Sequence, residues 1–420
     1  MVEIKILFAF YPVIPYNYGK QYMKKSHKPK VLFLYDFPLH GGGSGAYVKY
    51  LALRLVEKHG YKDRIAIASP DKEGFDPRIK QYYIKLPQIP VFIGRPGLEQ
   101  SKKYSDLTPS EIASLYKAFI EGTIRAVKKF HPDIIHVHHV MVNMWAARFI
   151  RGIFGTKYIV TSHGSCIHAI SRDRRYFRLS RDSLNAASAI TVVSGDTRAK
   201  LLKMFGSYLS KKTRTIPGGI KLSSFPPEKN VAAMRKEMGL TDKKIALFTG
   251  RLISEKGVEY LVKAAKKING VVIIAGDGPQ KASLEELVVK MQLTNVKMLG
   301  FFHDPSKIID FYYMCDVFVS PAVWDEPLGL TTIEAMASYT PAIVTRKGGS
   351  IMAIKDGVNG LFVRPRNANE IAKAVNYLFG NDELRKKMGL AARKTVEEKF
   401  TWTKIAHRFD LLYRNVSKPK

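Results

Sequence analysis

Cysteine is nearly absent: Cys166 and Cys315 are the only two in 420 residues, far apart and outside any Cys-x-x-Cys spacing. That excludes a disulfide framework and a cysteine-built zinc site, and it fits a reducing compartment such as the cytoplasm. Long apolar runs are missing as well. The most apolar early stretch, residues 6–16, is broken by Pro12 and Pro15 and falls short of the ~20 residues that span a bilayer. This stretch precedes Lys24, Lys25, Lys28 and Lys30, the reverse of the order in a secretory leader. No Asp-x-Asp occurs, which removes a common device for holding a divalent cation against a diphosphate. Acids are scarce, with 36 Asp+Glu against 68 Lys+Arg and a net charge of +32.

The basic excess is uneven: residues 1–220 carry 36 basic and 15 acidic side chains, residues 221–420 carry 32 and 21. It suits an anionic partner, whether a phosphate-bearing substrate, a lipid surface or nucleic acid, and equally suits a merely solvated surface. At 46% hydrophobic and 25% charged residues the composition is that of an ordinary folded protein. The length exceeds what one core serves and predicts two domains.

From Lys30 a regular pattern begins. An apolar run at 31–35 leads into Gly41-Gly42-Gly43-Ser44-Gly45 and then a helical period in Ala46, Val48, Leu51, Leu53 and Leu55. Strand-like runs at 64–68, 133–137, 158–161 and 189–193 alternate with helical stretches that include 109–130 and 142–154. Around 216–227 proline, glycine and serine collect, as in a linker. A second series follows, with strands at 245–249, 271–275, 296–299, 317–320 and 342–344 and helices at 257–268 and 330–337. Alternation of this kind specifies α/β architecture, two doubly wound parallel sheets of Rossmann-like type. The expected division is an extension of unknown role at 1–29, a first domain at 30–220 and a second at 221–403, with the last helix, within 404–420, crossing back to the first.

The strongest local signal is Trp324-Asp325-Glu326-Pro327-Leu328-Gly329-Leu330-Thr331-Thr332-Ile333-Glu334, which sets one carboxylate just before a helix and another in its opening turns. Free amides at a helix start, with Gly329 allowing close approach, form an anion site for a diphosphate. A glutamate one turn in can accept from both hydroxyls of a ribose. The same acids would also suit the positive end of a helix dipole. A second cluster, Gly250-Arg251-Leu252-Ile253-Ser254-Glu255-Lys256-Gly257, follows a strand and offers two cations to a diphosphate, or two solvent-facing charges to Glu255 and Glu259. Gly276 and Gly278 form a further turn at a strand end.

In the first half the glycine run is not spaced as Gly-x-Gly-x-x-Gly, since position 46 is alanine, and no acid closes the next strand, so a nicotinamide enzyme is disfavoured. His163 stands in Thr-Ser-His-Gly-Ser at the carboxyl end of a strand, the usual place for a catalytic group in an open α/β sheet. His136, His138 and His139 invite a metal reading. Strand alternation sends His139 to the face opposite the other two, no carboxylate cluster accompanies them, and no metal site is expected. Arg172, Arg174, Arg175, Arg178 and Arg181 recur at helical spacing, which predicts one basic helical face for an anionic acceptor or lipid headgroups, or a solvated helix.

In this order, these residues resemble the retaining glycosyltransferases of GT-B architecture, family 4 or "group 1", from about Lys30 to the C-terminus. Glu326 and Glu334 match the family's Glu-x7-Glu pair, its most specific element. The resemblance implies that Glu326 contacts donor-sugar hydroxyls, Glu334 the ribose, and the amides of Leu328, Gly329 and Leu330 the diphosphate. It further matches Arg251 and Lys256 to the donor-phosphate pair, Gly43 to the N-terminal glycine loop, His163 to the active-site histidine beside the sugar, and Gly276 and Gly278 to a turn at the nucleotide. Phe400-Thr401-Trp402 and the helix after it also match. Two positions depart: Pro217-Gly218-Gly219 stands where Pro-Asn-Gly is usual, and Met352 follows Gly348-Gly349 where a glutamate is common.

The function so implied is transfer, with retention and without a metal, of a hexosyl-type sugar from a nucleoside diphosphate sugar to an acceptor that is lipid-linked, polysaccharide or otherwise anionic. No tightly bound cofactor is expected, and the base of the co-substrate, UDP, GDP or ADP, stays open. The expected location is cytoplasmic, with peripheral association at the inner membrane face. A non-catalytic nucleotide-sugar-binding protein of the same fold and a basic nucleic-acid-binding protein are the alternatives, though no nucleic-acid recognition motif occurs.

Overall fold

The computed structural model describes residues 28–39, 43–89, 102–302 and 304–418. The readings placed on residues 1–27 and on Gly41 and Gly42 lie outside that range. The first domain comprises β1 (Val31–Leu34), α1 (Gly43–His59), β2 (Ile65–Ser69), β3 (Lys80–Tyr83), α2 (Pro109–Phe130), β4 (Ile134–His138), α3 (Val142–Phe154), β5 (Lys157–Ser162), α4 (Ser165–Arg172), α5 (Phe177–Ala186), β6 (Ala189–Val192), α6 (Gly195–Phe205) and β7 (Thr213–Thr215). The second half of the chain adds α7 (Ala232–Glu237), β8 (Ile245–Thr249), α8 (Val258–Ala265), β9 (Val271–Ala275), α9 (Lys281–Lys290), β10 (Val296–Gly300) and α10 (Pro305–Met314). It continues through β11 (Val317–Ser320), α11 (Leu330–Ala337), β12 (Ala342–Thr345), β13 (Gly360–Val363), α12 (Ala368–Phe379), α13 (Asp382–Lys399) and α14 (Trp402–Ser417).

Two parallel sheets result, ordered β3-β2-β1-β4-β5-β6-β7 and β10-β9-β8-β11-β12-β13. Helices cover both faces, so central strands such as β1 and β8 are buried at every residue and read as continuous apolar runs. The strand order reverses between β1 and β4 and again between β8 and β11. At such a switch point the loops leaving the carboxyl ends diverge and open a crevice. Gly43, His138, His163, Arg251 and Glu326 all belong to loops or element ends on this side of their sheets.

Local chemistry sets the boundaries that pattern alone could place. Helix α2 starts at a capping box between Thr108 and Glu111 with Pro109 in its first turn, and ends at His131 in the left-handed region with φ 52. Strands β3, β7 and β13 were not apparent in the sequence, and each lies at a sheet edge. An edge strand is covered less completely, and β3 (KQYY) and β7 (TRT) carry no apolar run; β13 (GLFV) is apolar and does not share that reason.

Helix α14 packs on α1. The Tyr47 and Trp402 rings meet edge to face at 5.1 Å, the Tyr61 hydroxyl donates to Asp410 Oδ1 at 2.9 Å, and Tyr413 bonds His136 at 2.7 Å. The chain crosses between the halves twice, side by side: Ile220 N donates to Phe400 O (2.8 Å) and Trp402 N to Ile220 O (3.2 Å). One apolar cluster runs from Val31 through Ile216, Ile220 and Leu328 to Ile245, continuous across the seam.

Candidate active site

The second domain supplies one wall. Helix α11 begins after Gly329, whose φ of 77 is left-handed, and no side chain caps it; its opening amides are therefore available to an anion. Thr332 Oγ1, in this first turn, is buried and without a partner among the described residues. One turn in, Glu334 Oε2 accepts from the Tyr312 hydroxyl at 2.8 Å, and that hydroxyl lies 2.7 Å from Thr249 Oγ1. Burial pushes the Glu334 carboxyl up to about 7, with the Tyr312 bond opposing the shift. Neither Tyr312 on α10 nor Thr249 on β8 carried a sequence signal, because their meeting is purely tertiary.

Glu326 stands just before the helix. Its Oε2 accepts from Lys256 Nζ at 2.5 Å and from Trp324 Nε1 at 3.3 Å. The ammonium keeps two further N–H groups for a phosphate. Arg251 is exposed; the neighbouring Glu255 carboxyl is held below the usual range by its own backbone amide and, in smaller part, by the positive charge of Arg251. Close backbone packing holds this loop: a Cβ at Gly257 would lie 2.3 Å from Pro321 O, and one at Gly276 would lie 1.8 Å from Gly250 O. Gly276 and Gly278 thus press one strand-end turn onto the other at residues 250–252.

The first domain meets this wall closely. A Cβ on Gly164, the residue after His163, would lie 2.7 Å from Pro327 Cγ, and one on Gly43 would lie 3.5 Å from Leu330 Cδ1. Gly349 packs between Pro327 O and Ser194 Cβ, at 1.9 and 2.9 Å from where its Cβ would be, and its amide donates to Glu326 O. Lys200 Nζ on α6 bonds Asp325 Oδ2 at 2.7 Å across the seam. The His163 loop, Glu326 with its Lys256 partner and the start of α11 therefore lie together at the seam between the domains. Gly218, at one departure from the family pattern, has Leu328 and Tyr47 atoms 3.1 and 3.2 Å from its Cβ position, so a larger side chain would not fit there without a shift.

A group of histidines backs His163. His163 Nε2 lies 3.1 Å from His138 Nδ1, and His136 bonds Thr161 and Tyr413, both at 2.7 Å. Burial drives His163 and His138 well below the usual histidine range, reinforced by their histidine neighbours, and takes His136 down to about 3. His139 departs from the alternation expected of it. It lies one residue past β4 with φ 78, which turns its ring to within 4.9 Å of the His163 ring, while its Nδ1 bonds buried Asp36 at 2.6 Å.

The five arginines do not share one helix, as their spacing predicts. Asp173 ends α4 and accepts from the Arg175 amide; Arg172 closes α4, Arg174 and Arg175 occupy a 3-10 turn, and Arg178 and Arg181 belong to α5. Arg175 is tied into the structure, pairing with Asp173 at 2.7 Å and donating to Leu107 O and Ser105 O at 2.7 and 2.9 Å. All five are exposed, the other four lack such ties to backbone carbonyls among the described residues, and Arg174 lies over the Phe177 ring at 3.9 Å.

Residues 41–224 match the model of Glycosyltransferase Family 4 and residues 230–395 that of Glycosyl transferases group 1. The chain belongs to this glycosyltransferase family. Among relatives of the group 1 glycosyltransferase is the Methanocaldococcus jannaschii "Uncharacterized glycosyltransferase MJ1607", 30% identical over 296 residues, 67% of this chain and 75% of that one. Its fold is that of sucrose-phosphate synthase from Thermosynechococcus elongatus (TM-score 0.76, 24% identity, 92% of this chain and 99% of the other). It is likewise that of Anabaena HepE in complex with UDP-glucose (TM-score 0.72, 16% identity, 92% and 99%). The glycosyltransferase is thus a GT-B enzyme of two Rossmann-like domains. No helix among its described residues is long and apolar enough to cross a membrane.

Proposed function

We propose that this glycosyltransferase moves a hexosyl-type sugar from a nucleoside diphosphate sugar to an anionic or lipid-linked acceptor, with retention and without a metal. The observation that carries the reading is that an uncapped helix start with Glu334 one turn in, the Glu326–Lys256 pair and the His163 loop gather at the seam between the domains. The diphosphate would rest on the amides at Leu328–Leu330 and on Arg251 and Lys256, Glu334 would accept from the ribose hydroxyls, and Glu326 from the sugar. HepE, which shares the fold, binds UDP-glucose.

In the reaction the bond between the anomeric carbon and the phosphate oxygen breaks while the acceptor oxygen bonds that carbon from the same face. The acceptor's proton passes to the departing diphosphate. Cations and helix amides stabilise the charge that grows there. Two carboxylates that follow strands β1 and β2 of the first domain are already engaged: Asp36 with His139 and Tyr104, and Asp71 with the Leu39 amide and Ser69. That favours front-face displacement over a covalent intermediate. Exposed Arg172, Arg174, Arg178 and Arg181 would receive the acceptor's anionic group or a membrane surface, with the enzyme peripheral on the cytoplasmic face.

The test is nucleoside diphosphate release from a panel of UDP-, GDP- and ADP-sugars in chelator, with wild type beside Glu334→Ala. Release from one donor, lost in the variant, is expected. Release that requires added manganese would remove the metal-free mechanism, and no binding of any nucleotide would remove the reading itself.

A further inference from the structure

His138 and His163 are joined by one hydrogen bond, Nδ1 to Nε2 at 3.1 Å, with their rings stacked at 21°. Either ring could donate in such a pair, and the far side of His138 decides between them. Its Nε2 is buried and meets no partner among the described residues, and the Phe33, His136 and Tyr47 ring centroids lie 4.2–5.9 Å from that of His138. Were His163 the donor, neutral His138 would carry its own proton on Nε2 as a buried N–H with nothing to accept it. With His138 donating from Nδ1, that buried nitrogen holds only a lone pair. Orphaned buried N–H groups are the rarer and costlier of the two.

We propose that His138 is a positioning residue that fixes His163 as the Nδ1–H tautomer, so that His163 offers the crevice an N–H donor for an oxygen of the sugar being transferred. Which nitrogen of a histidine carries its proton is set by the bond the other makes. His163 Nδ1 has no partner among the described residues and is not among the buried unpaired atoms, and the adjoining Gly164 touches Pro327 beside Glu326. Both imidazoles are held neutral by burial, so the tautomer, not the charge, is what His138 controls. Asp36 does not reassign these protons, since its Oδ1 is bonded by His139. The role in transfer rests on the nucleotide-sugar reading above; the tautomer does not.

Long-range proton–nitrogen correlation spectra of protein labelled with 15N-histidine read the tautomer directly, with the His163 signal assigned by its loss in His163→Gln. Wild type is expected to show Nδ1–H at His163; a protonated Nε2 overturns the proposal whatever the activity. His138→Phe, which keeps a ring but no donor, should lose about 10- to 100-fold in kcat with little change in KM for the nucleotide sugar, whose nucleotide contacts lie across the seam. His138→Asn, with an amide N–H near the Nδ1 position, should recover most of that loss. Equal losses in both variants, or a His138→Phe enzyme as fast as wild type, would assign His138 to packing alone. Calorimetry of nucleotide binding to wild type separates these results from failure of the donor reading, which would show as absent binding with the tautomer intact.

Discussion

Lys200 on α6 and Asp325, the residue before Glu326, form a 2.7 Å ion pair that joins the two domains. Lys200 is also paired with Asp196 at 2.8 Å, and Lys347 approaches the other Asp325 oxygen at 3.7 Å. Both partners are around two-fifths exposed, so the pair adds little to stability. Its value lies in holding the Glu326 loop against the first domain.

Lys200→Met should lower kcat/KM about two- to fivefold, the equivalent of ~0.5–1 kcal/mol for an exposed pair, and leave nucleotide affinity unchanged. Asp325→Asn in the same background should add less than it does alone, because both changes remove one interaction. Fully additive losses in steady-state kinetics would show the residues to be independent.

Glu334 ties stability to pH. Its carboxyl titrates at about 7 in the folded chain against 4.5 for the unperturbed group, so the folded state takes up a proton between those values. The group's favourable contribution is complete below pH ~4.5 and is lost as pH rises through about 7, on the order of 3 kcal/mol in all. Glu334→Gln should therefore melt higher than wild type at pH 8 and nearly with it at pH 5, while losing nucleotide affinity. Thermal melts at the two pH values decide this. Tyr312→Phe removes a bond that favours the carboxylate, and should move the pH profile of nucleotide binding to more alkaline values.

Gly349→Ala should cost at least a hundredfold in turnover and lower the melting temperature, since its Cβ position lies 1.9 Å from Pro327 O. Relief requires the Glu326–Pro327 backbone to move within the second domain, and Ser194 Cβ, 2.9 Å away across the seam, to give as well. Gly195→Ala is the control: nothing lies within 4 Å of its Cβ position, and alanine in α6 should be neutral or stabilise by up to ~1 kcal/mol. Similar activity in the two variants would contradict the fit at the seam.

Among the arginines, Arg175→Ala should lower the melting temperature, because three groups depend on its guanidinium, and should leave binding to anionic lipid vesicles largely intact. Arg172→Glu combined with Arg178→Glu should weaken vesicle binding more than tenfold, at ~1 kcal/mol for each charge near such a surface, with the melting temperature unchanged. Sedimentation with vesicles and thermal melts separate the two effects. Unchanged sedimentation of the double variant would deny this surface a membrane role.

Much of the fold was legible because parallel strands covered on both faces must be apolar almost throughout, as 317–319 and 342–344 are, and because α2 announces itself through Thr108, Pro109 and Glu111. The acids at 326 and 334 were legible for a similar reason, being local to one loop and helix start. What sequence could not reveal are relations between distant segments. Tyr312 reaches Glu334 from another helix, Lys200 reaches Asp325 across 125 positions, and His138 gains its meaning from His163. His139 escaped its expected face because the strand ends one residue before it, and the arginine face failed because Asp173 interrupts the helix.

The pairing of Ile220 with Phe400 and Trp402 has a topological consequence. Everything between these positions enters and leaves through a single doorway, which makes the second domain an insertion in a first domain that resumes with α14. An insertion with adjoining ends can swing on its two-stranded threshold without dragging the rest of the chain, and it can be exchanged for another of the same outline without rethreading the host.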